Sequence, residues 1–165
     1  MQKTFLQKVL EYTKPGMTVL DVGAGSLKTA SKLTHDGYNV TALDKRVTAV
    51  KKQNKVRFIK ADFMTWIPDQ HYDIVLLENS AQFMPKYELI KKLIQMSPKI
   101  ITIRTYCGPP DPDFEEAYSM TYYTSDDFVF PEYIAKVTRQ YKRKGIDIKS
   151  INRVFCTTDY IGIKK

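Results

Sequence analysis

Asp21-Val-Gly-Ala-Gly-Ser26 puts a carboxylate and two glycines directly after the apolar run Thr18-Val-Leu20. Glycines there let the backbone approach a ligand closely and adopt φ values closed to other residues. Alone, a Gly-x-Gly reads equally well as a tight turn. Two further acids change that reading. Asp44 closes the next apolar run, Asn39-Val-Thr-Ala-Leu43, and stands 21 residues after Gly23. From that place a carboxylate accepts both hydroxyls of a ribose. Asp62 comes just past a third run, Val56-Arg-Phe-Ile59, and is followed by apolar Phe63, a pairing suited to the amino edge and the face of an adenine. The chemistry indicated is the binding of an adenosine compound.

Such residues meet only if the ends of several strands come together. The stripe Phe5, Leu6, Val9, Leu10 predicts a helix within Met1–Tyr12, stopped by Lys14-Pro-Gly16. Thr18–Val22 reads as a buried strand, and Ser26 as the N-cap of a helix carrying Leu27, Ala30 and Leu33, ended by Gly37. Strands are predicted at Asn39–Leu43, Val56–Ile59, Tyr72–Leu77 and Lys99–Ile103, with a short lysine-rich helix after the second. Pro85 opens a helix with the stripe Leu89, Ile90, Leu93, Ile94. A long tyrosine- and proline-rich connection runs from Thr105 to about Phe130. Pro131 then opens a late helix, with Ile134, Val137 and Tyr141 inward and Gly145 as its cap, and the tail from Ile146 to Ile163 forms a hairpin. Strands alternating with helices predict an α/β fold. The expected form is doubly wound and Rossmann-like, a seven-stranded, mostly parallel sheet with a C-terminal antiparallel hairpin.

Residues 1–165 are expected to form one domain. With 43% apolar and 27% charged residues the chain is globular rather than disordered. No apolar run reaches the ~18 residues of a membrane span, and the N-terminus lacks a secretory apolar stretch, so a cytoplasmic protein without a membrane partner is expected. Cys107, Cys156, His35 and His71 show no metal-ligand spacing and no disulfide framework. The net charge of +8 comes mainly from blocks of +7 at 45–60 and +7 at 133–165, with −7 at 106–132.

Two adenosine ligands compete. A dinucleotide wants a third glycine where Lys28 stands, which argues against NAD. The other is S-adenosylmethionine. Val19-Leu-Asp-Val-Gly-Ala-Gly-Ser26 resembles the first motif of class I S-adenosylmethionine-dependent methyltransferases. Thr41-Ala-Leu-Asp44, Ile59-Lys-Ala-Asp-Phe63 and Tyr72-Asp-Ile-Val-Leu-Leu77 are similar to the second, third and fourth, in order and at the family's spacing. The resemblance covers nearly the whole chain and is most specific over Thr18–Glu78. Met120-Thr-Tyr-Tyr-Thr124 is similar to a stretch in small tellurite-resistance-type methyltransferases. The resemblance implies backbone contacts from Gly23, Ala24 and Gly25, with Asp21 orienting the turn and facing the methionine amino group. It implies Asp44 on the ribose, Asp62 on the adenine amino group and Phe63 on the adenine face. Lys45, beside Asp44, joins the cofactor-binding set, and Glu78 and Asn79 would lie near the sulfonium and the acceptor. Leu27 stands where many members carry glycine or a polar residue, which stiffens the turn.

The acceptor is less legible, because methyl transfer from a sulfonium needs alignment more than a fixed triad. No catalytic residue is therefore assigned. Glu78-Asn-Ser-Ala-Gln82 lacks the Pro-Pro-aromatic signature of amino methyltransferases acting on DNA. Cys107 lacks the companion Pro-Cys of carbon-5 pyrimidine enzymes and reads as a small buried residue, as does Cys156. Lys136, Arg139, Lys142, Arg143 and Lys144 read as a solvated helix face that could meet phosphates. Tyr106, Tyr118, Tyr122 and Tyr123 could stack bases or wall a small pocket as a lid. Asp111, Asp113, Glu115 and Glu116 would repel a polyanion there. A small-molecule acceptor is the favoured reading. RNA or DNA is the alternative acceptor, and a non-catalytic cofactor-binding module the alternative class.

Overall fold

The computed structural model describes residues 4–46, 56–107, 128–140 and 154–164. Helix α1 (Phe5–Leu10) is followed by β1 (Thr18–Val22), α2 (Lys28–His35), β2 (Asn39–Leu43), β3 (Arg57–Ile59) and β4 (Ile74–Glu78). A 3₁₀ turn at Ala81–Phe83 leads to α3 (Lys86–Met96), β5 (Ile100–Cys107), β6 (Phe128–Gln140) and β7 (Val154–Lys164). The strands lie in one sheet in the order β3-β2-β1-β4-β5-β7-β6. Strands β1 to β5 are parallel, and β7 runs antiparallel to both β5 and β6. The parallel, Rossmann-like α/β core is therefore as the alternation of elements predicts.

Helices cover both faces, which is why β1, β2 and β4 are apolar almost throughout. On one face Phe5 and Val9 of α1 and Ala30 and Leu33 of α2 pack on Val19, Val40, Ala42, Ile74 and Leu76. On the other, Leu89 and Leu93 of α3, with Phe63 and Tyr72, pack on Leu20, Val22, Leu43, Val75 and Leu77. Alternation along each strand then fixes what its last residues can do. Asp21 and Glu78 share the α1/α2 face with Val19 and Leu76, while Val22 faces α3.

The far edge of the core is braced where β1, β4 and β5 begin. Asp73 Oδ2 accepts from the Thr18 amide and hydroxyl, each at 3.0 Å, and Lys99 Nζ lies 2.7 Å from Asp73 Oδ1. The lysine and the Thr18 donors hold the Asp73 carboxyl down at about 2.

Several elements differ from expectation. The helix expected from Pro131 is instead strand β6, paired with β7. Val129, Tyr133, Ile134, Val137 and Thr138 are β-formers, and Pro131 falls in a register irregularity between Val129 and Glu132. β6 is also an edge strand, where a missing N–H is tolerated. Strand β7 takes β6 as its hairpin partner rather than a strand from Ile146 onward; residues 146–153, Tyr141, Lys142, Arg143, Lys144 and Gly145 lie outside the described residues. Strand β5 runs on to Cys107, four residues beyond the expected end, and there its register places Cys107 opposite Cys156. Helix α2 starts at Lys28, so its N-cap is Leu27 rather than Ser26. Pro85 is the N-cap of α3, one position before the expected one. The lysine-rich helix after β2 and the tyrosine-rich connection from residue 108 onward lie outside the described residues.

Candidate functional site

Parallel strands deliver their carboxyl ends to one edge of the sheet, and the strand order reverses at β1. The glycine turn sits there. Gly23 has φ +73° and donates to the Leu43 carbonyl at 2.7 Å, so the turn is fastened to the end of β2. A Cβ on Gly23 would lie 2.5 Å from the Cβ of Ser80, whose hydroxyl donates to the Val22 carbonyl at 2.7 Å. Only glycine fits this crossing of β1 and β4. Gly25 has φ +48° with open space around it, so backbone conformation rather than packing selects glycine there.

Asp44 binds the turn from the side. Its Oδ2 accepts from the Gly25 amide at 2.9 Å and its Oδ1 from the Arg46 amide at 2.7 Å. Each carboxylate oxygen has a second lone pair, so capacity for further donors remains. Asp62 is held similarly: the Met64 amide donates to Oδ1 at 3.0 Å and Lys45 Nζ to Oδ2 at 3.2 Å. Both contacts, the amide first, keep the Asp62 carboxyl below its usual range. Lys45 thus reaches across from Asp44 to Asp62.

Asp21 lies beneath the turn, only 2% exposed. Its Oδ2 is buried without a hydrogen-bond partner among the described residues. Burial, then the charges of Glu78 and Asp44, push its carboxyl up to about 7, while a hydrogen bond from the Ala30 amide works the other way. That amide belongs to the first turn of α2, so Asp21 ties the helix start to β1. A cationic group from a ligand is the natural complement to such a site.

These residues border a cavity of about 560 Å³, within the range of small-molecule sites. Gly23, Asp44, Lys45, Asp62 and Phe63 line it. Ala24 and Gly25 belong to the turn at its edge, and Asp21 lies below. Phe63 is 2% exposed, its ring packed in the α3-side core with the Lys92 ammonium 4.9 Å from the ring centroid. The aromatic open to solvent at this cavity is Phe83, 74% exposed. Glu78 faces the other side of the sheet, accepting from the Thr29 hydroxyl at 2.9 Å with Arg104 3.7 Å away. Its neighbour Asn79, with φ +57°, does line the cavity.

Sequence reading missed Ser80, Arg46, Met64, Phe83 and Met84 as lining residues. For Ser80 a signal existed: a small residue just past a central strand suits a close crossing with a glycine. Phe83 stands outside any apolar stripe and gave none. Among the described residues no group of three or more His, Cys, Asp or Glu could hold a metal ion.

Residues 20–96 match the methyltransferase domain family. No curated protein matches the chain in sequence. Solved structures share its fold. TehB from Haemophilus influenzae is 18% identical with a TM-score of 0.70, covering 96% of this chain and 60% of its own. Magnesium protoporphyrin IX methyltransferase from Synechocystis, solved with bound S-adenosylmethionine, is 15% identical with a TM-score of 0.62, covering 98% and 76%. The 1,6-didemethyltoxoflavin-N1-methyltransferase of Burkholderia thailandensis, solved with its acceptor and S-adenosylhomocysteine, is 13% identical with a TM-score of 0.60, covering 94% and 74%. The matched segment begins inside β1 and ends with α3, and so holds the glycine turn and all three acid-bearing strand ends. Motif, match and fold coincide there, so residues 20–96 carry the pattern of a methyltransferase domain and the chain is similar in fold to S-adenosylmethionine-dependent methyltransferases.

Proposed function

We propose that this methyltransferase acts on a small-molecule acceptor bound beside the Asp44–Asp62 cavity. The observation that carries the reading is the cavity itself, lined by the Asp44 and Asp62 carboxylates, with an unpartnered, buried carboxylate oxygen of Asp21 beneath the turn. S-adenosylmethionine supplies a methyl group activated on a positively charged sulfur. In this reading Asp44 accepts the ribose hydroxyls and Asp62 the adenine amino group. Asp21 faces the ammonium, and Gly23, Ala24 and Gly25 bring backbone close to the methionine moiety. Lys45 keeps Asp62 ionised and aimed. Glu78 acts through its hold on Thr29 of α2, and Asn79 stands nearest the acceptor. These groups align nucleophile and methyl at about 3–3.5 Å, which supplies most of what such a displacement needs.

Two of the structural neighbours act on small ring systems by name, which favours a small acceptor here. The nucleic-acid alternative leaned on a basic helix, but among the described residues its Lys136 and Arg139 lie on edge strand β6. The seven-strand count with its closing hairpin, and a cytoplasmic location, are part of the same reading, the first supported by the β6–β7 ladder. The test is label transfer from methyl-labelled donor into separated metabolite, RNA, DNA and protein fractions. Label in the metabolite fraction is expected. Measured donor binding with no transfer to any fraction would establish the non-catalytic binding module instead.

A further inference from the structure

We propose that Lys92, on α3 and outside the cofactor cavity, is the positioning residue that aims Asp62 and so sets selectivity for the adenine amino group. This rests on the assignment of Asp62 to that group. The segment 62–66 is a single tight turn: the amides of Thr65 and Trp66 donate to the Asp62 carbonyl at 3.2 and 2.9 Å. A turn that closes on itself this way leaves its later carbonyls without partners in the chain, because no helix follows to use them. Lys92 takes them. Its ammonium donates to the Met64 carbonyl at 3.3 Å and to the Trp66 carbonyl, and stands over the Phe63 ring. An ammonium has three protons, and two of them are directed to these carbonyls.

The consequence reaches Asp62 by a short route. Asp62 Oδ1 is oriented by the Met64 amide, and the Met64 carbonyl belongs to the residue Lys92 holds. The other end of the brace is rigid, since Leu89 and Leu93 on either side of Lys92 are buried in the core. Desolvation lowers the lysine's pKa while the Asp62 charge opposes that, so the two groups sense each other. Without the brace the turn keeps its internal bonds but loses its fixed attitude to the cavity.

The experiment measures binding of S-adenosylhomocysteine and S-inosylhomocysteine by calorimetry. The second ligand replaces the amino group by a carbonyl. Wild type should prefer the adenosyl compound, and Lys92→Met should cut that preference about fivefold or more, with Lys92→Arg restoring much of it and Lys91→Met leaving it intact. Lys92→Gln, uncharged and one bond shorter and so unable to bridge both carbonyls, serves if the methionine variant does not fold. An unchanged ratio in folded Lys92→Met, or in Lys92→Gln where that stands in for it, with only thermal stability lowered, would reduce Lys92 to a packing residue and overturn the proposal. A wild type that binds both ligands equally would overturn it differently, by removing the Asp62 assignment on which it rests.

Discussion

At the scale of single residues the site is dominated by acids whose environments differ. Asp21 is buried with its carboxyl at about 7, against an ordinary 3.8. A raised folded-state value means that the native protein holds a proton the unfolded chain has lost. Between about pH 4 and 7 stability therefore falls as pH rises, by on the order of 4 kcal/mol across the window. Asp21→Asn should remove this decline, so denaturant midpoints at pH 5 and pH 8 should converge in the variant. An equally steep decline in Asp21→Asn would locate the effect elsewhere. Saturating S-adenosylhomocysteine should also flatten the decline in wild type, because its ammonium supplies the counter-charge that burial withholds. Gly23 makes a sharper prediction. Gly23→Ala adds a methyl 2.5 Å from Ser80 Cβ at φ +73°, which should cost more than about 2 kcal/mol and abolish cofactor binding. Ser80→Gly in the same chain removes the colliding atom and should recover part of the stability. Thermal melts of the two single variants and the double variant read this directly.

Elements show which parts of the molecule a sequence can reveal. Strands β1, β2 and β4 were legible because burial on both faces writes an unbroken apolar run, and the acids at their ends interrupt it. Strand β6 was not. Its residues also fit a helical stripe, and what makes it a strand is the ladder to β7, more than a dozen residues further along the chain. Non-local pairing of that kind overrides local periodicity. Phe63 shows a related ambiguity: it lines the cavity yet packs in the core, and beside an acid a core aromatic and a ligand platform look the same in sequence. Lys92 carries no sequence signal, because its carbonyl partners lie 26 and 28 positions earlier. The brace at the opposite end of the sheet offers a test at this scale. Asp73 joins β1 to β4 through Thr18 and reaches Lys99 ahead of β5. Asp73→Ala should cost about 1–3 kcal/mol by leaving the Thr18 amide unpaired. Its folded pKa is depressed to about 2, so its contribution is present above pH 4 and disappears as pH falls from about 4 toward 2. In Asp73→Ala that part of the acid transition should be missing, so the stability gap between wild type and variant should narrow from pH 5 to pH 2 in denaturant melts.

For the whole molecule the question is what a net charge of +8 does. A polyanion-binding protein collects unpaired cations along one surface, so that phosphates can displace their counterions. Here five of the described cations are engaged. Lys45 pairs with Asp62, Arg57 with Asp69, Lys99 with Asp73 and Arg104 with Glu78, and Lys92 is turned inward to carbonyl oxygens. These pairs are also spread along the sheet rather than gathered, because their partners sit at opposite strand ends. Binding to RNA or duplex DNA should then be of the non-specific kind, with a dissociation constant of about 10⁻⁴–10⁻⁶ M near physiological salt. The proposed cofactor contacts are of another kind, short-range hydrogen bonds in the Asp44–Asp62 cavity. S-adenosylhomocysteine at 100 times its dissociation constant should stabilise the fold by about 2.7 kcal/mol, and that gain should change little between 50 and 200 mM salt. A gel-shift titration and a thermal-shift series over the same salt range separate the two behaviours. Tight nucleic-acid binding that falls steeply with salt and disappears on charge reversal at Arg139, Lys142 and Arg143 would shift the acceptor assignment from a small molecule to a nucleic acid. Weak binding indifferent to those reversals would leave the excess charge with solvent and the acceptor in the cavity.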